Sequence, residues 1–231
     1  MIDKKAERLD VERKMIDKKA ERLDVESMKK YGFTGKRRKI TGEIWLNQII
    51  ALKDFGNVKK GETGGWIESE INLSQSGTCW VSDEAGVCNG ARVSDEAQVA
   101  DNALIGDNAL IGGEALVCGS VVICGDALIY GNAQIFNNVN IFGSAKIHSN
   151  AVIASNRSVC WFSCVGSERG TLTAYTAKDD TLRITRGCFE GTLSEFESAV
   201  ENRHGNSKFA QEYKALITYL KIRFGIEEVK E

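Results

Sequence analysis

Two histidines and seven cysteines are the side chains with the widest chemical range in this 231-residue chain. An imidazole can act as a general base near neutral pH, because its ordinary pKa lies near 6.5. His148 follows Ile147 directly, and Tyr130 precedes it by three six-residue steps. An imidazole beside a phenol could handle protons, so His148 with Tyr130 is the candidate catalytic pair; the competing reading is a surface histidine. His204 stands in a His-Gly-Asn stretch and reads as a helix-end residue. Cys160 and Cys164 are four apart and have no partner pair, so the spacing of a paired-cysteine zinc site is missing. No Ser-His-Asp arrangement, phosphate-binding glycine loop or GxGxxG is visible. Neither a metal nor a cofactor site is expected.

Composition narrows the setting. The cysteines are odd in number and scattered, and the N-terminus is charged from Asp3 onward with no apolar stretch behind it. Reduced thiols in a cytoplasmic protein, without a secretory signal, are the expectation. No apolar run approaches the length of a membrane span. Net charge is −2. The run Lys36-Arg-Arg-Lys39, with Lys29 and Lys30 nearby, could touch phosphates. Such a run is more often a solvated hairpin tip, and residues 79 to 167 hold eight acidic and three basic residues. Nucleic acid is therefore not the expected partner.

The element that must position His148 is a repeat. Every sixth residue from Val81 to Val165 is Val or Ile, fifteen in all. Two residues before each of the first thirteen, through Ile153, stands a small apolar residue, as in Ala103, Ala109, Ala115 and Ala127. Two residues after, from Asp83 through Gly143, stand Gly, Asn or Asp, as in Asp95, Asp101, Gly113 and Asn137. Residues two apart share a face of a strand. Val and Ile suit a packed pleated surface, and Gly, Asn and Asp tolerate the positive φ of a tight turn. A short strand and a turn, repeated, describe a coil that stacks on itself. A period of six does not fit a helical face.

These columns resemble the hexapeptide-repeat family, whose fold is a left-handed parallel β-helix with three repeats per coil. The resemblance implies about five coils over residues 79 to 167, a prism roughly 24 Å long at the usual strand spacing. Acyltransferases of this family use a histidine base, usually near a loop that interrupts the coils, and a neighbouring subunit completes the site for an acyl-CoA donor. Here no loop interrupts the coils, and His148 is the candidate base. Carbonic anhydrases of the same fold need three histidines. The segments Gly64-Gly-Trp-Ile-Glu-Ser, Asn72-Leu-Ser-Gln and Cys79-Trp-Val resemble hexapeptide-repeat proteins of phages and prophages.

The expected fold is mainly β, with appendages at both ends. Residues 28 to 78 read as an N-terminal β cap, with a strand at Glu43-Ile-Trp-Leu and Leu73 in register with the small column. Residues 168 to 231 read as an α+β module: a hairpin around Lys178-Asp-Asp, a capping box at Thr192-Leu-Ser-Glu195, and a second helix from Lys208 to Phe224. The module resembles one that recurs in phage proteins. Residues 1 to 27 contain a tandem copy, Met1 to Val11 returning as Met15 to Val25. Their heptad-like stripe fits an amphipathic helix or a short coiled coil, or a duplicated start.

The outward positions are unusually apolar: Leu104, Leu110, Leu116, Val122, Leu128, Phe136 and Phe142. Apolar patches of this kind mark interfaces. A homo-oligomer is expected, with a trimer favoured by the family resemblance; the alternative is that the C-terminal module folds over one patch. The leading functional expectation is a non-catalytic, self-associating scaffold or binding protein of phage type. The alternatives are an acyltransferase with His148 as base, and an anti-defence protein that sequesters a small nucleotide or a host protein.

Overall fold

The computed structural model describes residues 29–226; the duplicated N-terminal segment lies outside the described residues. The turn column sets the architecture. Asp83, Asn89, Asp95, Asp101, Asp107, Gly113, Gly119, Gly125, Gly131, Asn137, Gly143 and Ser149 all have positive φ, between 53° and 88°. Each turns the chain after a two-residue strand. Thirteen such strands, β4 to β16, run from Trp80–Val81 to Val152–Ile153 among the described residues.

Pairing is parallel and joins residues three repeats apart. Ile123 pairs with Ile105 on one side and Ile141 on the other. Three repeats therefore close one coil, and five strands stack along one wall from Trp66–Ile67 to Asn140–Ile141. A second wall holds Leu116 and a third holds Leu110. The aliphatic and small columns line a single buried core through the prism. The result is a β-solenoid of about five turns.

Both ends of the prism are capped, because a bare coil would expose unpaired strand edges. At the N-terminal end, β1 (Tyr31–Lys39), β2 (Trp45–Ala51) and β3 (Thr63–Ile67) form antiparallel pairs, and β3 passes into the first wall through parallel pairing with Gly86–Val87. Trp80 is buried there against Tyr31 and Phe55. Lys30 is buried too, and its Nζ donates to the carbonyls of Cys79 (2.9 Å) and Ser76 (3.2 Å). Burial lowers its pKa. Leu73 bridges Val93 and so belongs to the aliphatic column rather than the small one. The cause is two extra residues before Val81, where Gln75 and Ser76 bend in to meet Lys30.

The parallel ladder ends at Ile153. Val159 and Val165, which continue the six-residue spacing, sit in β17 (Val159–Val165), and this strand pairs antiparallel with β18 (Gly170–Thr176). The seven-residue β18 offers a longer partner than another two-residue step could, so spacing alone does not mark this change of sheet. Strands β19 (Leu182–Arg186) and β20 (Phe189–Thr192) complete a four-stranded sheet. Its side chains close the last coil: Lys146 N donates to Thr173 Oγ1 (3.0 Å), Thr185 Oγ1 to Lys146 O (2.8 Å), and Thr176 Oγ1 to Val152 O (2.8 Å).

Helices α1 (Leu193–His204) and α2 (Lys208–Phe224) pack on this sheet around a second core that includes Phe196, Tyr213 and Leu220. The Thr192–Glu195 capping box starts α1 as the sequence predicts. Ser207 caps α2, and Gly225 ends it in the left-handed conformation. No described helix is long and apolar enough to cross a membrane.

Candidate functional site

Six-residue periodicity stacks side chains in columns on the outside of the prism as well as inside. One outward column of the third wall runs Ser94, Gly112, Tyr130, His148. Tyr130 and His148 lie face to face, with ring centroids 6.1 Å apart and planes tilted by 11°, within the range of offset stacking. The Tyr130 ring lies over Gly112, where a Cβ would come within 2.4 Å of its Cε2. Only a glycine leaves that space open. Tyr130 OH donates to Asp95 Oδ2 at 2.8 Å, and Gly113 N donates to the same oxygen at 2.9 Å. The Gly113 amide, and after it the tyrosine hydroxyl, hold the Asp95 carboxyl below its usual range. The same hydrogen bond pushes the Tyr130 hydroxyl up.

The C-terminal sheet supplies the other half of the site. Glu190, on β20, places Oε2 3.2 Å from His148 Nδ1, and its Oε1 accepts from Ser149 Oγ. His148 N donates to the Tyr175 hydroxyl at 3.3 Å. Burial, and then the nearby Glu190, push that hydroxyl up to about 12, so it stays protonated. A shallow groove beside the imidazole is lined by Leu128, Lys146, Thr185, Cys188 and Phe189. A carboxylate facing Nδ1 favours the proton on that nitrogen and leaves the Nε2 lone pair available.

The expected pair, His148 and Tyr130, is thus brought together. Glu190, Ser149 and Asp95 also belong to the cluster, and the sequence reading misses all three. His204 ends α1, as expected, tilted over Tyr213 at 5.5 Å in a separate cleft. Four thiols have pKa values raised by burial, those of Cys88 and Cys160 to about 11 and those of Cys118 and Cys124 by less. They are poor nucleophiles at neutral pH. Among the described residues no group of three or more His, Cys, Asp or Glu could hold a metal ion.

The basic run is engaged on the cap surface. Arg38 pairs with Glu84 and stacks on Trp66 at 4.6 Å, while Arg37 and Lys39 lie over Trp45.

The outward apolar residues divide in two. Leu110 is 44% exposed, Leu116 39% and Phe142 42%. Leu104, Val122, Leu128 and Phe136 are half-buried. Leu110 stacks on Leu128 in one column, and Leu104 on Val122 in another. The C-terminal sheet sits mainly on the end of the prism; Thr173 and Thr185 bond Lys146 at the edge of the third wall, and the turn between β19 and β20, with Glu190, leans onto that wall.

No family model matches the chain. The chain is similar to the uncharacterized acetyltransferase YdcK of Escherichia coli (strain K12), with 36% identity over 73 residues. That match covers 29% of this chain and 22% of the relative, so the chain spans about a fifth of the relative's length.

Proposed function

We propose that this chain is an acyltransferase of the hexapeptide-repeat type, in which His148 is the general base and Glu190 orients it. The observation that carries this reading is the 3.2 Å approach of Glu190 to His148 Nδ1 at the edge of an open groove. A base held by a carboxylate is the recurring arrangement for activating a hydroxyl or amine. Nε2 takes the proton of the acceptor as its oxygen or nitrogen attacks the carbonyl carbon of a thioester donor such as acetyl-CoA. The carbon–sulfur bond breaks, and the imidazolium returns the proton to the departing thiolate. Tyr130 holds the ring from one side. The similarity to a protein named as an acetyltransferase supports the reaction class.

The test is thiol release from acetyl-CoA with a panel of sugar, amino-acid and amine acceptors. His148→Ala should lower the rate by about 100-fold or more, the usual share of a general base. Glu190→Gln should lower it less. No acceptor-dependent thiol release by the wild type would reject the proposal.

A second reading has its own support. Apolar residues stay exposed on all three walls, and no loop breaks the coils. Both features suit a non-catalytic, self-associating scaffold, a trimer in the manner of the resembling family. Assembly without turnover would favour it.

A further inference from the structure

A second cleft lies in the C-terminal module, separated from the His148 groove by the Gly187–Cys188 turn. Its volume is about 220 Å³, smaller than the roughly 300–1,000 Å³ of sites for drug-sized ligands. The floor is aromatic: Phe189 and Phe196 have centroids 5.2 Å apart, and Phe196 meets Tyr213 edge-on at 5.5 Å. The rim carries Arg186, Arg203 and His204 against a single carboxylate, Glu168.

Glu168 is shared. Its Oε1 is 3.3 Å from Arg203 and its Oε2 is 3.7 Å from Arg186. The Arg186 side chain is only 9% exposed, donates from Nη2 to Val165 O at 2.8 Å, and has no partner for Nε. A buried guanidinium with one loose ion pair is short of acceptors. Two arginines facing one carboxylate leave an excess positive charge over an aromatic floor. We infer that this cleft binds a small planar anion, an aromatic ring bearing a carboxylate or a phosphate, with the ring on Phe189, Phe196 and Tyr213 and the anion between Arg186 and Arg203. Guanidinium groups suit both anions, because their paired N–H groups match two oxygens at once.

Arg203 and His204 also stand in the last turn of α1, where cations offset the partial negative charge of the helix end. The experiment must separate that role from ligand binding. Calorimetry on the full chain would use 4-hydroxybenzoate and phenyl phosphate as ring-bearing anions, with phenol and inorganic phosphate as controls that lack one half. At least one ring-bearing anion should bind more tightly than both controls. Arg203→Gln should weaken it about tenfold, the loss of one charge-assisted hydrogen bond. Glu168→Gln should strengthen it, because the competing carboxylate is gone. His148→Ala should leave binding unchanged, which keeps this test independent of the acyltransferase reading. No binding of either anion at millimolar concentration would overturn the inference. So would an Arg203→Gln protein that melts earlier yet binds as before, since the arginine would then serve the helix end alone.

Discussion

The hydroxyl of Tyr130 reaches back across two coils to the Asp95 carboxylate, 2.8 Å away, while its ring covers Gly112 and faces the imidazole of His148. One side chain thus ties an acidic turn residue to the candidate base. The tie depends on the column order: acid at the turn, glycine beneath the ring, tyrosine, then histidine. Neighbouring columns show the alternative without it. Asp101 and Asp107 accept the amide one coil ahead, from Gly119 and Gly125, with no tyrosine hydroxyl on the same carboxylate.

The Asp95 carboxyl should titrate below the usual carboxylate range, and Tyr130→Phe should move it upward. It should not return fully, because the Gly113 amide is the larger cause. Its folded pKa is depressed, so its contribution to stability is present above the unfolded value near 3.9 and is lost as pH falls through the folded value. Asp95 is exposed, so the effect on melting is small. Carboxyl NMR titration of the two proteins checks this. Identical Asp95 curves would contradict the hydrogen bond.

Gly112→Ala probes the same link from below. The new Cβ would lie 2.4 Å from the tyrosine ring and 2.8 Å from Asp95 Oδ2. The ring is the freer of the two, so it should swing away from Asp95 and from His148. The expected cost is about 1–2 kcal/mol, the usual range for overpacking. The Asp95 pKa should rise as it does in Tyr130→Phe. A variant that melts and titrates like the wild type would place the ring elsewhere.

Ile123 is fully buried between Ile105 and Ile141. Ile123→Asp should abolish soluble folding, because an unpaired buried carboxylate costs several kcal/mol. Ile123→Val, which removes one methyl group, should remain folded and lose about 0.5–1.5 kcal/mol. Circular dichroism and solubility of the pair check the register; a soluble aspartate variant with an unchanged melting curve would refute it.

The prism was legible because its signals are local. The Val/Ile column and the Gly/Asn/Asp column each state a strand face or a turn within six residues, and every Gly, Asn and Asp of the turn column from Asp83 to Gly143 has the positive φ that its residue type tolerates; Ser149 continues the turn without that signal. Both helix starts were legible for the same reason, through Thr192 and the segment opening at Lys208. The end of the prism was not, because Val159 and Val165 keep the spacing while their pairing partner, β18, is chosen by the tertiary fold. Half of the candidate site was legible: Tyr130 and His148 share a column that arithmetic can find. Glu190 reaches His148 only because the four-stranded sheet closes over the last coil, and Glu190 itself lies outside the repeat.

Assembly is the prediction that decides between a lone prism and a shared one. Leu110 and Leu128 form a strip on one wall, Leu104 and Val122 a strip on another, and Leu116 and Phe142 add exposed surface. The C-terminal sheet closes the end and leaves Leu110 open, so that module alone does not cover these strips. Soluble monomers rarely leave such surface bare, and closed symmetry is the usual way to bury it. Light scattering should therefore report a homo-oligomer, a trimer in the favoured case, both for the full chain and for a chain beginning at Met28. Leu110→Glu with Leu116→Glu should dissociate it, since both side chains face outward and their replacement leaves the core intact. If only the full chain assembles, the duplicated N-terminal segment is the oligomeriser and the walls are not. If the wild type is a monomer at micromolar concentration, the wall interface is wrong, and any acyl transfer must then be completed within one chain.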